Sequence, residues 1–316
     1  MGYSGIDIYK LNQKMRKQIM SFNKSNYYYT KDNLRTYNLD TSVRKELDFL
    51  EMLDPYTRTH SENVAAVTVS LCEYLNKSKV FTLACTICAY LHDIGKTGIP
   101  AKILQKNEAL TEEEFEIIKK HTTIGYDICI KDPVLKPYAN GVKYHHENLD
   151  GTGYPDGLAG DKIPIEAQII KVADEYDALV SKRQYKSHVD ISETISILAE
   201  KVRTNKMNKK VIVALVQVIN DDILIEIDQL HKYVKILKDE LKPLEPTEKI
   251  LKGEYTTSFF RTEKYYEKKR SKISTDEKEI LDYISNVETL RAVLDTRVKL
   301  IDKLNAELTT INKIKI

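Results

Sequence analysis

From Val43 the apolar residues of this chain recur three and four positions apart, the spacing of an amphipathic helix, and strand-like alternation bounded by turn residues is scarce. The pattern predicts an all-α fold. Helices are expected over residues 61–75 and 80–92. Thr111 followed by Glu112, Glu113 and Glu114 is a capping-box start for a helix carrying Phe115, Ile117 and Ile118 toward His121. Residues 190–219 read as two further amphipathic helices. Residues 1–42 are polar, with Tyr27, Tyr28 and Tyr29 in a row and no clear period, and are expected to form an N-terminal extension.

The last third has a different rhythm. Ile223, Ile227, Leu230, Val234, Leu237 and Leu241 alternate spacings of four and three. So do Ile280, Tyr283, Val287, Leu290, Leu294, Arg297, Ile301, Leu304, Leu308 and Ile311, with Arg297 the one misfit. Both sets are coiled-coil seams. Between them Pro243, Pro246, Gly253 and a charged, aromatic run near Tyr265 must break or turn the helix. Spacing does not choose a partner, so an intramolecular hairpin and a homodimer through the C-terminal coil fit it equally. The expected organisation is an extension (1–42), a helical domain (43–220) and a helical coiled-coil or regulatory region (221–316).

Charge changes the picture little. Forty-nine Lys and Arg against 47 Asp and Glu leave a net charge of +2, so no global field draws the chain to DNA or to an anionic membrane, and any anionic substrate must be captured locally. The longest apolar stretch, residues 211–219, is interrupted by Gln217 and falls short of the roughly 18 to 20 residues of a spanning helix. The N-terminus lacks the apolar core and small-residue cleavage site of a secretory signal. A cytoplasmic location with neither DNA nor membrane as partner is expected.

The four cysteines, Cys72, Cys85, Cys88 and Cys129, are too few for a disulfide framework. Cys85 and Cys88 form a Cys-x-x-Cys, but no second pair accompanies them and the run around them is apolar, so small core residues are expected. Glycine placement says more. Eight of the 11 glycines lie between Gly95 and Gly160, four of them within Gly151–Gly160, marking one permissive loop around which the chemistry is expected.

Six of the seven histidines, His60, His92, His121, His145, His146 and His188, form a series in this half of the chain. Imidazole supplies a neutral nitrogen ligand near neutral pH. His92 is followed by Asp93, and His145 by His146; adjacent side chains on a helix point about 100° apart, which suits two ions better than one. Asp93 would bridge them. With Asp174 added, the candidate ligands are His60, His92, Asp93, His121, His145, His146 and Asp174. This nitrogen and oxygen set favours a transition metal such as iron or manganese. Gly95 would let the chain leave the helix, placing the Lys96 ammonium about one turn past the ligands, near a phosphate oxygen.

The run His92-Asp93-Ile94-Gly95-Lys96, continuing to Ile99-Pro100, with His145-His146-Glu147 and Asp150-Gly151-Thr152-Gly153-Tyr154-Pro155, resembles the HD-GYP subgroup of the HD phosphohydrolase superfamily. The resemblance extends from about Leu53 to Asn220. It implies an HD-domain helical bundle, with residues 43–220 as the catalytic domain. It also implies a site of two or three metals that hydrolyses a cyclic dinucleotide, most often cyclic di-GMP, to the linear dinucleotide or to GMP.

Carried over residue by residue, the seven candidates match metal ligands and Lys96 matches a substrate-contacting lysine. Arg183 and Lys186 match positions that hold phosphate and base. Asp93 and Lys96 are thus the expected catalytic pair, and Gly153, Tyr154 and Pro155 the expected pocket wall. Glu147 is expected to orient a histidine, a surface ion pair being the alternative.

Two positions depart from the family. Gln184 stands where a proline is usual, and Tyr56 where three-metal members carry a carboxylate, so two metals are expected. The competing readings are an HD phosphohydrolase acting on another nucleotide and a non-catalytic cyclic-dinucleotide sensor.

Overall fold

The computed structural model describes residues 43, 45, 46, 48, 55–106, 108–181 and 190–316. The expected N-terminal extension and the motif with Arg183, Lys186 and His188 lie outside them. Among the described residues there is no β-strand, only two isolated bridges, Asp150 with Ala159 and Ser258 with Arg261. The fold is all-α.

The first helices are α1 (Pro55–Tyr74) and α2 (Lys79–Leu91), then, after a 3-10 turn over Ile94–Gly98, α3 (Ala101–Leu104), α4 (Glu112–Lys119) and α5 (His121–Lys131). They are followed by α6 (Ala139–Tyr144), α7 (Ile165–Val180), α8 (Ile191–Arg203) and the long α9 (Lys209–Leu241). The chain ends with α10 (Glu245–Lys252), α11 (Glu263–Ile273) and α12 (Glu277–Ile311). Two expectations shift. The helix expected from residue 61 begins at Pro55 and so includes His60, and the helix expected to end at 219 runs on to Leu241 without a break.

Local chemistry sets several ends. The Ser78 hydroxyl accepts from the Phe81 amide and starts α2. The expected capping box is present at α4: Thr111 accepts from the Glu114 amide while the Glu114 carboxylate accepts from the Thr111 amide. Gly253, with φ of 76°, ends α10 in the left-handed conformation.

The described residues fall into two compact units, one that ends at Asp222 and takes back Glu307–Ile316, and a second holding Ile223–Ala306. In the first, α2 is the central helix, packed on α1, α6 and α7. Its Cys85, Ile87, Cys88, Ala89 and Leu91 are all buried, a fully buried Ile or Leu contributing about 1.5–3 kcal/mol. All four cysteines are buried thiols, as expected of core residues. The tail belongs to this unit through its own bonds: Glu307 accepts from the Ser192 amide at 2.6 Å, Asn312 from Asn220 at 3.0 Å, and the Lys315 carbonyl from Arg203 at 3.1 Å. Ile311 is buried.

The 3-10 turn after α2 lies against α5, and the contact is backbone on backbone. A Cβ on Gly95 would stand 1.8 Å from the His121 carbonyl oxygen and 2.5 Å from the Gly125 nitrogen. The chain leaves α2 at this point, as expected, but without a positive φ at Gly95. It is the point where the segment after His92 and Asp93 touches the one that begins at His121.

In the second unit the two seams meet within one chain. Leu237, Leu241, Leu244 and Leu251 form a buried cluster with Ile280, Tyr283, Val287 and Leu290. The Tyr283 hydroxyl, fully enclosed, donates to the Leu244 carbonyl at 3.2 Å. These helices form an extension whose apolar stripes cover each other locally.

Two outcomes are expected. Gly95→Ala should cost about 3 kcal/mol, at the upper end for overpacking, because the obstruction is backbone and cannot swing aside; a chemical-denaturation midpoint equal to that of the parent would show that α5 yields. Deleting residues 307–316 removes buried Ile311 and three hydrogen bonds, and should lower stability by about 2–5 kcal/mol, read as a lower thermal unfolding midpoint.

Candidate metal centre

The seven donors arrive from helix ends and helix faces. His60 projects from α1, and Asp174 lies within α7. His92 caps the C-terminus of α2, and Asp93 opens the 3-10 turn. His121 begins α5, and His145 caps α6, with His146 next in the chain. The fold brings all seven together: five pairs among the histidine rings have centroids 4.1–5.3 Å apart.

One local arrangement recurs. Nδ1 of His92 lies 2.7 Å from the Ala89 carbonyl, that of His121 2.7 Å from Ile118, and that of His145 2.7 Å from Val142, each three residues earlier. A carbonyl oxygen only accepts, so each Nδ1 carries the proton and each Nε2 keeps its lone pair. His60 makes the equivalent bond from Nδ1 to Asp177 at 2.6 Å. These Nε2 atoms point inward.

The donors form two sets. His60, His92 and Asp93 offer atoms within 4.8 Å of one another, as do His121, His145 and His146. Asp93 stands between them: Oδ2 lies 3.3 Å from His92 Nε2 and 3.8 Å from His60 Nε2, while Oδ1 lies 3.6 Å from His121 Nε2. Asp174 joins the first set, with Oδ1 3.0 Å from His60 Nε2 and 3.9 Å from His92 Nε2.

Two observations test whether the residues suit a metal ion. His92 Nε2 is sealed from solvent and makes no hydrogen bond, despite Asp93 lying 3.3 Å away. His121 Nε2 faces His145 Nε2 at 3.3 Å, lone pair toward lone pair. A buried polar atom without a partner costs about 1–3 kcal/mol, and a cation removes both deficits. The set fits divalent metal binding.

Electrostatics point the same way. Burial holds His121 below its ordinary value, His145 well below it and His146 down to about 3, so these rings are neutral at neutral pH. For His60 burial opposes protonation, but the hydrogen bonds to Asp174 and Asp177 prevail and raise it to about 9. Burial also opposes the charge on Asp93 and Asp174. It is overcome by Lys96 and His92 at the first and by His60 at the second, and both stay well below the usual carboxylate range.

Lys96 leans on Asp93, Nζ to Oδ2 2.5 Å, with a quarter of its side chain exposed. Tyr154 stacks on His146 at 4.8 Å and 29°, and its partly buried phenol is pushed up by burial. Gly153 permits that placement, because a Cβ there would stand 2.3 Å from the Asn148 nitrogen and 2.4 Å from the Glu147 Cα. Pro155 follows directly.

Glu147 differs from both of its expected roles. It is buried, and its carboxylate accepts from the Asp156 amide at 2.8 Å and the Leu158 amide at 3.0 Å. It braces the glycine loop rather than a histidine. Arg183 and Lys186 lie outside the described residues.

Sequence reasoning missed Asp177 and Lys119. Asp177 accepts from His60, from Asn63 at 3.0 Å and from Ser181 at 2.7 Å. Its signal was available, since it stands three residues after Asp174 and so shares that helix face. Lys119, two residues before His121, places Nζ 5.6 Å from the Tyr154 ring centre; no spacing rule foretold that approach.

The chain is 44% identical over 153 residues to a cyclic di-GMP phosphodiesterase of Thermotoga maritima, covering 46% of this chain and 42% of that protein. It is 37% identical over 193 residues to the cyclic di-GMP phosphodiesterase PdeB of Borreliella burgdorferi, covering 60% and 50%. A 3'3'-cGAMP-specific phosphodiesterase of Vibrio cholerae is 38% identical over 150 residues, covering 48% and 33%. The chain thus spans a third to a half of the length of these relatives. A profile described as HD domain matches residues 45–211, more than half of the chain and the stretch holding all seven donors, and the protein belongs to the HD domain family.

Proposed function

We propose that the protein is a metal-dependent phosphodiesterase of the HD-GYP type that hydrolyses a cyclic dinucleotide, cyclic di-GMP first, to the linear dinucleotide or GMP. The observation that carries this reading is Asp93, one buried carboxylate set between two clusters of inward-facing imidazole nitrogens. The names of the Thermotoga and Borreliella relatives support the substrate. The Vibrio relative, named for 3'3'-cGAMP, supports a mixed cyclic dinucleotide as the second reading.

His60, His92, Asp93 and Asp174 would hold one divalent ion, and His121, His145, His146 and Asp93 the other; the nitrogen and oxygen donors suit iron or manganese. When bound, two such ions supply Lewis-acid charge to a phosphodiester and make water acidic enough to serve as nucleophile near neutral pH.

The chain's own groups do the rest. Asp93 stays ionised and stands between the two sets. The Lys96 ammonium, beside Asp93 and partly exposed, offsets charge on a non-bridging phosphate oxygen as it develops. Tyr154, stacked on His146, walls the pocket for a base or sugar, and Gly153 and Pro155 fix its position. Arg183 and Lys186 enter from the sequence as contacts to phosphate and base.

His92→Ala and Asp93→Ala are each expected to abolish turnover of cyclic di-GMP and to lower bound metal while circular dichroism stays helical. Metal per chain unchanged in both would remove the ligand assignment. Lys96→Ala should keep its metal and lose about 10²-fold in kcat/KM, the scale of one charge-stabilising contact; turnover within twofold of the parent would place Lys96 outside the reaction. Parallel assays with cyclic di-GMP and 3'3'-cGAMP decide between the two substrates.

A further inference from the structure

The C-terminal extension carries a feature that catalysis does not use. Ser258 and Arg261 bond to each other through both backbone groups, at 2.9 and 3.0 Å, closing a tight turn whose two central residues are Phe259 and Phe260. Their exposures are 91% and 87%, the highest among the exposed large hydrophobic side chains. They account for two of the chain's six phenylalanines. Single exposed apolar residues are ordinary on protein surfaces. Two adjacent phenyl rings presented at the tip of a closed turn are not, since each ring carries roughly 150–250 Å² of surface that water disfavours.

The turn is braced. Tyr255, before it, stacks on Tyr266 of α11 at 4.1 Å and 16°, and Tyr265 meets Tyr266 edge to face at 5.2 Å. The Tyr266 hydroxyl donates to the Thr256 carbonyl at 3.4 Å. Helix α11 has no buried residue, and Ile273 at its end packs on the cluster of this unit. The phenyl rings are thus held out from a supported turn.

In the sequence around them positive charge is in excess. Arg261, Lys264, Lys268, Lys269, Arg270 and Lys272 stand against Glu254, Glu263 and Glu267 between residues 254 and 273, an excess of positive charge in a chain whose total is only +2. Lys264, Lys268 and Lys272 recur every fourth residue, and so form a stripe along one face of α11. All three are exposed. Paired exposed rings in a segment with an excess of lysine and arginine match an anionic bilayer surface: the rings enter the acyl boundary while the cations meet lipid phosphates. The expectation of no membrane partner rested on net charge and on the lack of a spanning segment. Among the described residues no helix is long and apolar enough to cross a membrane, and a peripheral contact needs none.

We propose that the Phe259–Phe260 turn and the basic face of α11 form a docking site for the surface of an anionic lipid bilayer. This proposal stands apart from the reading of the metal centre.

The test is cosedimentation of the full chain with vesicles of phosphatidylcholine alone and of phosphatidylcholine mixed with phosphatidylglycerol. Binding to the mixed vesicles only, weakened by salt, is expected. The double variant Phe259→Ser/Phe260→Ser should bind at least about tenfold more weakly. Lys264→Glu, Lys268→Glu and Lys272→Glu should each weaken binding on the order of fivefold or more. All of these side chains are exposed, so folding and turnover of soluble cyclic di-GMP should match the parent. Equal binding to both vesicle types, no binding to either, or undiminished binding by the phenylalanine variant overturns the proposal. So does light scattering in which that variant loses an oligomeric state of the parent while its vesicle binding is unchanged, which would make the turn a contact between copies of the chain.

Discussion

Three histidines in the centre of this protein give the proton on Nδ1 to a carbonyl three residues earlier in the chain, and that bond governs the rest of the site. It fixes the tautomer, leaves each Nε2 with a lone pair and no proton, and sets the ring plane relative to a helix end. His60 donates from Nδ1 to Asp177 in the same way, while its Nε2 lies 3.0 Å from Asp174 Oδ1. The protein then turns these lone pairs toward one another and toward two carboxylates in a dry interior. There they repel or lie unsatisfied unless a cation joins them.

Such an arrangement is affordable only on a stiff scaffold. The donors sit at helix ends and on helix faces of one packed unit, and the closest approach, Gly95 against the backbone of α5, leaves no room even for a methyl group. Glu147 does for the glycine loop what the carbonyls do for the histidines: its buried carboxylate gathers the amides of Asp156 and Leu158, so a segment rich in glycine holds one shape beside His146. The burial that stiffens the site also sets its electrostatics, keeping His121, His145 and His146 neutral while nearby cationic groups keep Asp93 and Asp174 ionised.

The extension obeys different physics. Its stability comes from two long apolar stripes that cover each other around Leu241 and Tyr283, with the enclosed tyrosine hydroxyl satisfied by a carbonyl. The last ten residues return to the family domain through hydrogen bonds to Ser192, Arg203 and Asn220. Covalent order and compact unit therefore part company at Glu307. Linear reading of heptads has no means of seeing this, since the seam continues unchanged through the point where its partner changes.

Much was legible without coordinates. Helical spacing, the capping box at Thr111 and the scarcity of alternation gave the all-α class, because those signals depend on neighbours within one turn. The seven candidates that the fold gathers were legible too, since a series of imidazoles and carboxylates at irregular spacing serves no helix. Their partition into two sets, the place of Asp93 between them and the tautomers were settled by the tertiary structure, because they depend on which helix ends meet in space. Glu147 shows the limit: nothing local distinguishes a carboxylate that orients a histidine from one that gathers loop amides nine and eleven residues away. Gly95 shows it again, for a glycine chosen for close approach and one chosen for a turn are the same letter until the neighbouring backbone is in place.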